Sequence, residues 1–416
     1  MNTNSLIPPK KSGRVPLLMF LMPLLTDFSG MLLIFSVSRN LAELGAGLLT
    51  MGLVGGAHAL IAALSSFFFG RLSDSIGRTK LILPGMLLMI ISALTCLVSP
   101  FGKGLFLSMY WTNALALGLI HPATVAWINK GEKKHHLSRG VSSNLIRFCV
   151  AWNLGVLSAQ LSGGWLFLLG PKTPLVLATV MAGLNLIVLF GMMRTFPDRT
   201  EGEEGPEIKS GAVPPEQITS TESSGGVLDL QSKTFVQLSW LANLAGAFSM
   251  SMILHLFPQL AVSLGVPSNQ HGTILALMRV LIICIYFVLH NTRFWQYRYA
   301  STLTVQGAAV TGLLVLYFAQ STLSLYIGVV GLAILIGYDY FSGIYYSNSG
   351  NDDRKRGFAS GMHEASLGLG IAAGSVSGGI VGTFLGERSP YLLAVLVIII
   401  LTFVQARLII NNKKAW

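Results

Sequence analysis

Twelve stretches of about twenty predominantly apolar residues recur along this 416-residue chain, at 16–38, 46–69, 81–100, 104–129, 140–169, 172–194, 233–264, 271–291, 299–319, 322–349, 357–386 and 389–411. Each is long enough to cross a hydrocarbon layer ~30 Å thick. Inside hydrocarbon no water is available for backbone N–H and C=O groups, so each stretch must bond to itself as a helix. The predicted fold class is therefore an all-α membrane protein with twelve transmembrane helices. With 52% hydrophobic and 11% charged residues, the chain has too little polar surface to fold as a soluble globule of this length.

The formal charge of +11 is not spread evenly. Lys10, Lys11 and Arg14 precede the first run, and basic residues recur in every second connection, at 71–80, 130–139, 194–233, 293–298 and 354–356, and in the tail at Lys413 and Lys414. The alternate connections hold only Arg39, Lys103, Lys172 and Arg388. That bias predicts both termini on the cytoplasmic side of a cell (plasma or inner) membrane. It also accounts for the positive charge without a nucleic-acid partner. The first apolar run is long and lacks a small-residue cleavage site, so it reads as a spanning helix and not a signal peptide. Cys96, Cys149 and Cys284 lie in separate runs without metal-like spacing and read as small core hydrophobes.

One connection carries a recognisable pattern. Residues 70–80 read Gly-Arg-Leu-Ser-Asp-Ser-Ile-Gly-Arg-Thr-Lys, a glycine-punctuated charged segment between the second and third runs. Its G-x-x-x-D-x-x-G-R spacing resembles the signature loop of the major facilitator superfamily. Gly70, Asp74, Gly77, Arg78 and Lys80 fit, while Ser75 and Thr79 stand where basic residues are common. The resemblance implies two pseudo-symmetric six-helix halves, with spans 1, 4, 7 and 10 around a central cavity. Spans 5 and 8, and 2 and 11, would form the seams between halves. It also implies that Gly70, Asp74, Gly77 and Arg78 act as a conformational latch. Two other family motifs are incomplete here. The glycine-proline of the fifth-helix antiporter motif is replaced by Ala159-Gln160 and, in span 11, by Gly374-Ser375. Ala114 stands where many proton-linked members place an arginine in span 4.

The expected halves are 1–195 and 233–416, joined by a polar cytoplasmic linker at 196–232 rich in Pro, Glu, Ser and Thr. An internal repeat supports that division. Span 5 opens on Arg139-Gly140 and reaches Gly163-Gly164; span 11 opens on Arg356-Gly357 and reaches Gly378-Gly379. Both carry ladders of small residues in between, which let neighbouring backbones approach closely.

Ionisable residues inside the spans are the candidate functional groups, because each must offset its desolvation. Asp27, Asp339 and Glu364 are candidates for coupling, with protons as the candidate ion. Arg279 lies near the middle of span 8 among Leu275, Ala276, Leu277, Met278, Val280 and Leu281, with no neighbour to neutralise it. An arginine there costs roughly 2.5–3.5 kcal/mol, and its planar fork suits a carboxylate or phosphate. Arg147 is a second candidate for an anionic solute. Tyr338, Ser342 and Tyr345 share one face of span 10 and suit a cavity wall; Trp111 and Asn113 join them from span 4. His58, His121 and His255 read first as packing residues. The chain has no phosphate-cradling loop with lysine, no metal-ligand spacing and no nucleophile elbow, so no enzyme activity, cofactor or metal is expected.

These features together predict a secondary transporter that moves a small or amphiphilic solute by alternating access, with an anionic group as the candidate feature. Its partners are the solute, the lipid bilayer and protons. A transport-inactive sensor or scaffold on the same fold, and a lipid flippase, remain alternatives at the level of sequence.

Overall fold

The computed structural model describes residues 15–128, 143–196, 222–349 and 356–412. The expected linker at 196–232 falls largely outside them, as do the amino-terminal basic residues and the side chain of Asp74. The described residues form twelve long helices: α1 (Leu21–Glu43), α2 (Leu48–Ile76), α3 (Thr79–Val98), α4 (Gly104–Ile128), α5 (Ser143–Phe167), α6 (Thr173–Thr195), α7, α8 (Ser268–Asn291), α9 (Tyr299–Tyr317), α10 (Thr322–Ser349), α11 (Arg356–Leu385) and α12 (Ser389–Asn411). α7 is composite: Glu222–Ser251, one π turn over Met252–Leu256, and Phe257–Ser263. It starts well before the apolar run that marks it in the sequence.

Eleven of these helices are long and apolar enough to cross a membrane. α4 has 25 residues, about 37 Å of helix, but Tyr110, Trp111, Thr112, Asn113 and His121 dilute its apolar character. It tolerates them because its neighbours cover it. The same logic sorts the bundle radially: 83% of the apolar stretches of α7 and α10 are buried against 17% of that of α12. On α12, Leu396, Ile399, Ile400 and Phe403 are exposed and present a lipid-facing stripe. Cys96 and Cys149 are buried, whereas Cys284 is exposed.

The 70–80 segment is not a loop. α2 continues helical through Ile76, and only Gly77 and Arg78 connect it to α3. Gly77 ends the helix at φ 99°, a conformation that disfavours any residue with a Cβ. Ser73 and Ser75 keep their hydroxyls on the helix by donating to Gly70 O and Leu72 O, at 2.7 and 2.9 Å.

The two halves meet along α2/α11 and α5/α8, as the family resemblance implies. The contacts repeat with two-fold pseudo-symmetry. Ser375 and Gly379 of α11 lie on Leu48 and Gly52 of α2, while Gln160 and Gly164 of α5 lie on Ser268 and Gly272 of α8. A Cβ built on Gly52 would collide with Ser375 O, and one on Gly272 would collide with Gln160 O. Both seams are therefore backbone against backbone, tighter than any side chain allows. Both lie at the same end of the molecule, where α1 turns into α2 and α7 into α8; we call this the upper end. Hydrogen bonds between halves add to the seal. Arg39 Nη2 donates to Val266 O at 2.9 Å, Ser268 Oγ to Gly164 O at 3.0 Å, and Leu49 N to Thr383 Oγ1 at 3.1 Å. Arg39, expected in a connection, is instead a buried residue of α1 that also pairs with Glu43 at 2.8 Å.

Candidate functional site

Beneath the upper seal, a cavity of about 150 Å³ opens between the halves, the volume of an engineered pocket that accepts benzene. Spans 1, 4, 7 and 10 contribute to its lining, joined by α2, α5 and α11. Most of the wall is aliphatic, with Leu117 from one half and Met250, Leu254 and Ile371 from the other. Against this background the ionisable groups stand out. Asp27 and the three histidines His58, His121 and His255 face it, together with Asp339 and Glu364.

All three candidate coupling carboxyls thus reach one cavity, from both halves of the chain. Their partners differ. Asp27 Oδ1 lies 3.5 Å from His121 Nε2, and its Oδ2 is unpartnered among the described residues. Glu364 Oε1 accepts a hydrogen bond from the Tyr340 hydroxyl at 3.3 Å. Asp339 is only 1% exposed, and neither of its oxygens has a partner among the described residues. Gly246 lets α7 approach it closely, since a Cβ there would stand 2.9 Å from Asp339 Oδ2.

Two aromatic rings of the lining touch each other. Trp152 of α5 and Tyr340 of α10 meet edge to face across the halves at 4.9 Å, a favoured geometry for aromatic quadrupoles. His58 stacks on Tyr110 at 4.5 Å. His255 sits on the π turn of α7 with its ring against Gly55, where no Cβ could be accommodated. π turns inside α-helices occur frequently at functional sites.

The residues expected to bind substrate are placed differently. Arg279 is 0% exposed and lies behind the cavity wall. Its Nη1 donates to Asn153 Oδ1 at 3.4 Å, its Nη2 lies 3.9 Å from Met250 Sδ, and its guanidinium is 5.8 Å from the Trp152 ring centre. Asn153 in turn donates to the Tyr286 hydroxyl at 3.2 Å. Arg279 is therefore a strut of the α5/α8 seam. Arg147 is exposed near the start of α5, far along that helix from Gly164, and does not line the cavity.

Tyr338 packs on Trp295 and shares a 3.4 Å hydroxyl contact with Thr302, while Tyr345 packs on Trp295 and Tyr346. Ser342 is buried and donates to Asp339 O. The tyrosine face of α10 thus fills the interior of the carboxy-terminal half, and Ile336, Asp339 and Tyr340 line the cavity instead. Trp111 donates its indole N–H to Val54 O at 3.2 Å, and Asn113 its amide to Ser92 Oγ at 3.3 Å. Sequence reasoning does not single out Trp152, Asn243, Gly246 or the cavity histidines as site residues. Helical spacing from Asp339 to Tyr340 is compatible with either face, so periodicity cannot rank them.

Comparison with known proteins agrees with this architecture. The family model described as Major Facilitator Superfamily matches residues 19–352. No curated protein sequence matches the chain. Among solved structures, the chain is similar to the human organic anion transporter MFSD10 (TETRAN), with 16% identity, TM-score 0.66, and coverage of 96% of this chain and 100% of that one. It is similar to a mutant form of the nucleoside transporter NupG, with 13% identity, TM-score 0.61 and coverage of 94% and 98%. A bacterial homologue of the human drug peptide transporters PepT1 and PepT2 matches at 13% identity and TM-score 0.64, covering 95% of this chain and 98% of that one. At these identities the likeness speaks for the fold, and the family match adds membrane transport as the class of activity. With twelve helices in two matching halves around a central cavity, this chain belongs to the Major Facilitator Superfamily.

Proposed function

We propose that this transporter is a proton-coupled secondary carrier of a small amphiphilic solute, working by alternating access. The observation that carries the reading is one cavity between the halves to which both halves contribute carboxyl groups, Asp27 from the first and Asp339 and Glu364 from the second. A carboxyl group held in apolar surroundings is costly as an anion unless paired. Its proton state is therefore sensitive to whether a solute or water is beside it, which is what coupling requires. We assign the coupling proton to Asp27 and Glu364, each of which already has a neighbour that can respond to its charge, His121 and Tyr340 respectively.

The alternation itself would use the two seams. With the termini cytoplasmic, the sealed upper end would face outward and the cavity would lie on the cytoplasmic side of that seal. Rocking the halves would part the glycine contacts at the upper end and close the lower end around the same cavity. The latch residues Gly70, Gly77 and Arg78 lie at the lower end, where they would stabilise the opposite state. The connection between α6 and α7, shorter than the expected 196–232 linker because α7 is helical from Glu222, would join the halves on the cytoplasmic side of a cell membrane.

Sealed proteoliposomes containing a pH-sensitive dye test this reading. Amphiphilic solutes from several charge classes are added outside, with protein-free vesicles as the blank. At least one solute moves protons in the wild type, and Asp27→Asn and Glu364→Gln abolish that movement while leaving solute exchange. If no solute moves protons, or both variants still do, coupling through these groups is refuted. A transport-inactive scaffold would show no solute exchange at all.

A further inference from the structure

Asp339 is the one carboxyl group in the cavity that nothing else in the described structure engages. It is 1% exposed, lines the cavity, and has two oxygens without a hydrogen-bond or ion-pair partner among the described residues. Asp27 has His121 and Glu364 has Tyr340. A buried carboxyl group without a partner is costly as an anion, and a ligand N–H donor carrying positive charge would supply that missing partner as the carboxyl gives up its proton.

The surroundings favour the same kind of ligand. Tyr340, next to Asp339 in the chain, and Trp152 present aromatic surface within the same cavity, and aromatic faces attract ammonium groups. The arginine that would favour an anion does not reach the wall: Arg279 is fully buried behind it, engaged by Asn153, Met250 and Trp152. Leu254, Ile336 and Ile371 add aliphatic wall to the same cavity, beside His58, His121, His255 and Asn243. Three carboxyl groups, three histidines, two aromatic rings and aliphatic side chains around about 150 Å³ suit one charged head on a small hydrophobic body.

Resting on the transport reading above, we propose that the solute is a small organic cation, an aryl- or alkyl-ammonium, whose ammonium group is held by Asp339. The aliphatic wall receives its hydrocarbon, and the Trp152–Tyr340 pair stands beside its charge. This departs from the anionic solute that Arg279 suggests in the sequence.

Three probes of nearly one shape separate charge from hydrophobicity: 2-phenylethylammonium, 2-phenylethanol and phenylacetate, titrated calorimetrically at pH 7 into the full chain in lipid nanodiscs. The expected ranking places the ammonium about tenfold or more tighter than the alcohol, in line with a charge-assisted hydrogen bond, and the carboxylate weakest. Asp339→Asn removes the ammonium's advantage and leaves the alcohol's affinity nearly unchanged. Equal affinities, tighter binding of phenylacetate, binding of none of the three, or a preference that survives Asp339→Asn each overturn the proposal. Should Asp339→Asn fail to fold, the wild-type ranking still decides. Equilibrium binding needs no alternation between states, so a scaffold would pass this test and fail the vesicle experiment, which keeps the two readings apart.

Discussion

Arg279 shows how a single residue can be read correctly as costly and wrongly as exposed to the cavity. Its sequence neighbours are apolar, so a partner had to come from another helix, and the amide oxygen of Asn153 on α5 is the acceptor it finds. Its 3.4 Å bond is long, its Nε is unpartnered among the described residues, and the Trp152 face lies 5.8 Å away. Such a group holds the seam in place by geometry more than by strong bonding. Arg279→Lys keeps the charge and loses the fork, so the variant is expected to lose about 1–3 kcal/mol of stability while solute affinity changes by less than about threefold. Thermal denaturation in detergent and calorimetric binding measure the two effects separately. A loss of binding without a loss of stability would return Arg279 to the binding site. Asp27, Asp339 and Glu364 were legible as functional candidates because a charge in an apolar run seldom serves packing alone. The aromatic and histidine neighbours were not, because tyrosine, tryptophan and histidine pack into helix interiors as readily as they line cavities. Tyr338 and Tyr345 do the first and Tyr340 the second, two and five positions apart on the same helix.

At the scale of helices, the seams depend on glycines that periodicity marks only as small residues. The repeated ladders in spans 5 and 11 pointed to close packing, and the structure identifies the partners as Gly272 and Gly52. Neither lies in a ladder, and neither could be singled out without knowing which helices meet. Gly272→Val places a branched side chain where even a Cβ would collide with Gln160 O. Because packed interfaces have discrete arrangements and do not deform continuously, the strain is expected to part the upper end instead of being absorbed locally. The equilibrium should move toward the upper-open state by roughly tenfold or more, within the 1–3 kcal/mol typical of such couplings. Ser38→Cys, buried beneath the seal, reports the change: it is protected from a membrane-impermeant maleimide in the parent and labelled in Gly272→Val. Unchanged protection with normal folding would mean that the seam adapts. The boundaries of most helices were legible because hydrocarbon thickness sets their length. The exceptions have physical causes: α2 extends to Gly77 because nothing before it terminates a helix, and α1 runs past Arg39 because that charge finds acceptors within the protein.

The molecule as a whole combines a two-fold arrangement of seams with a cavity that is not two-fold in its chemistry. Asp27 and its histidine lie in one half, and Asp339, Glu364 and Tyr340 in the other. In the proposed cycle the symmetric frame would rock while the asymmetric lining would distinguish solute from proton. Its orientation is checked by single cysteines in intact cells: Leu44→Cys, in the exposed α1–α2 connection, is labelled from outside and Ser223→Cys is not, with the reverse pattern excluding cytoplasmic termini. Above all, transport by this frame requires that the two ends open in alternation. Pulsed electron–electron resonance measures it directly, on a background with Cys96, Cys149 and Cys284 replaced by serine. One spin-label pair, Leu44→Cys with Leu385→Cys, spans the upper end of the α2/α11 seam, and a second, Ser143→Cys with Asn291→Cys, spans the lower end of the α5/α8 seam. Alternation predicts two distance populations for each pair, changing in opposite senses when pH is lowered or Gly272→Val is introduced. A single distance at each end that neither change moves, or two ends that open together, would contradict it.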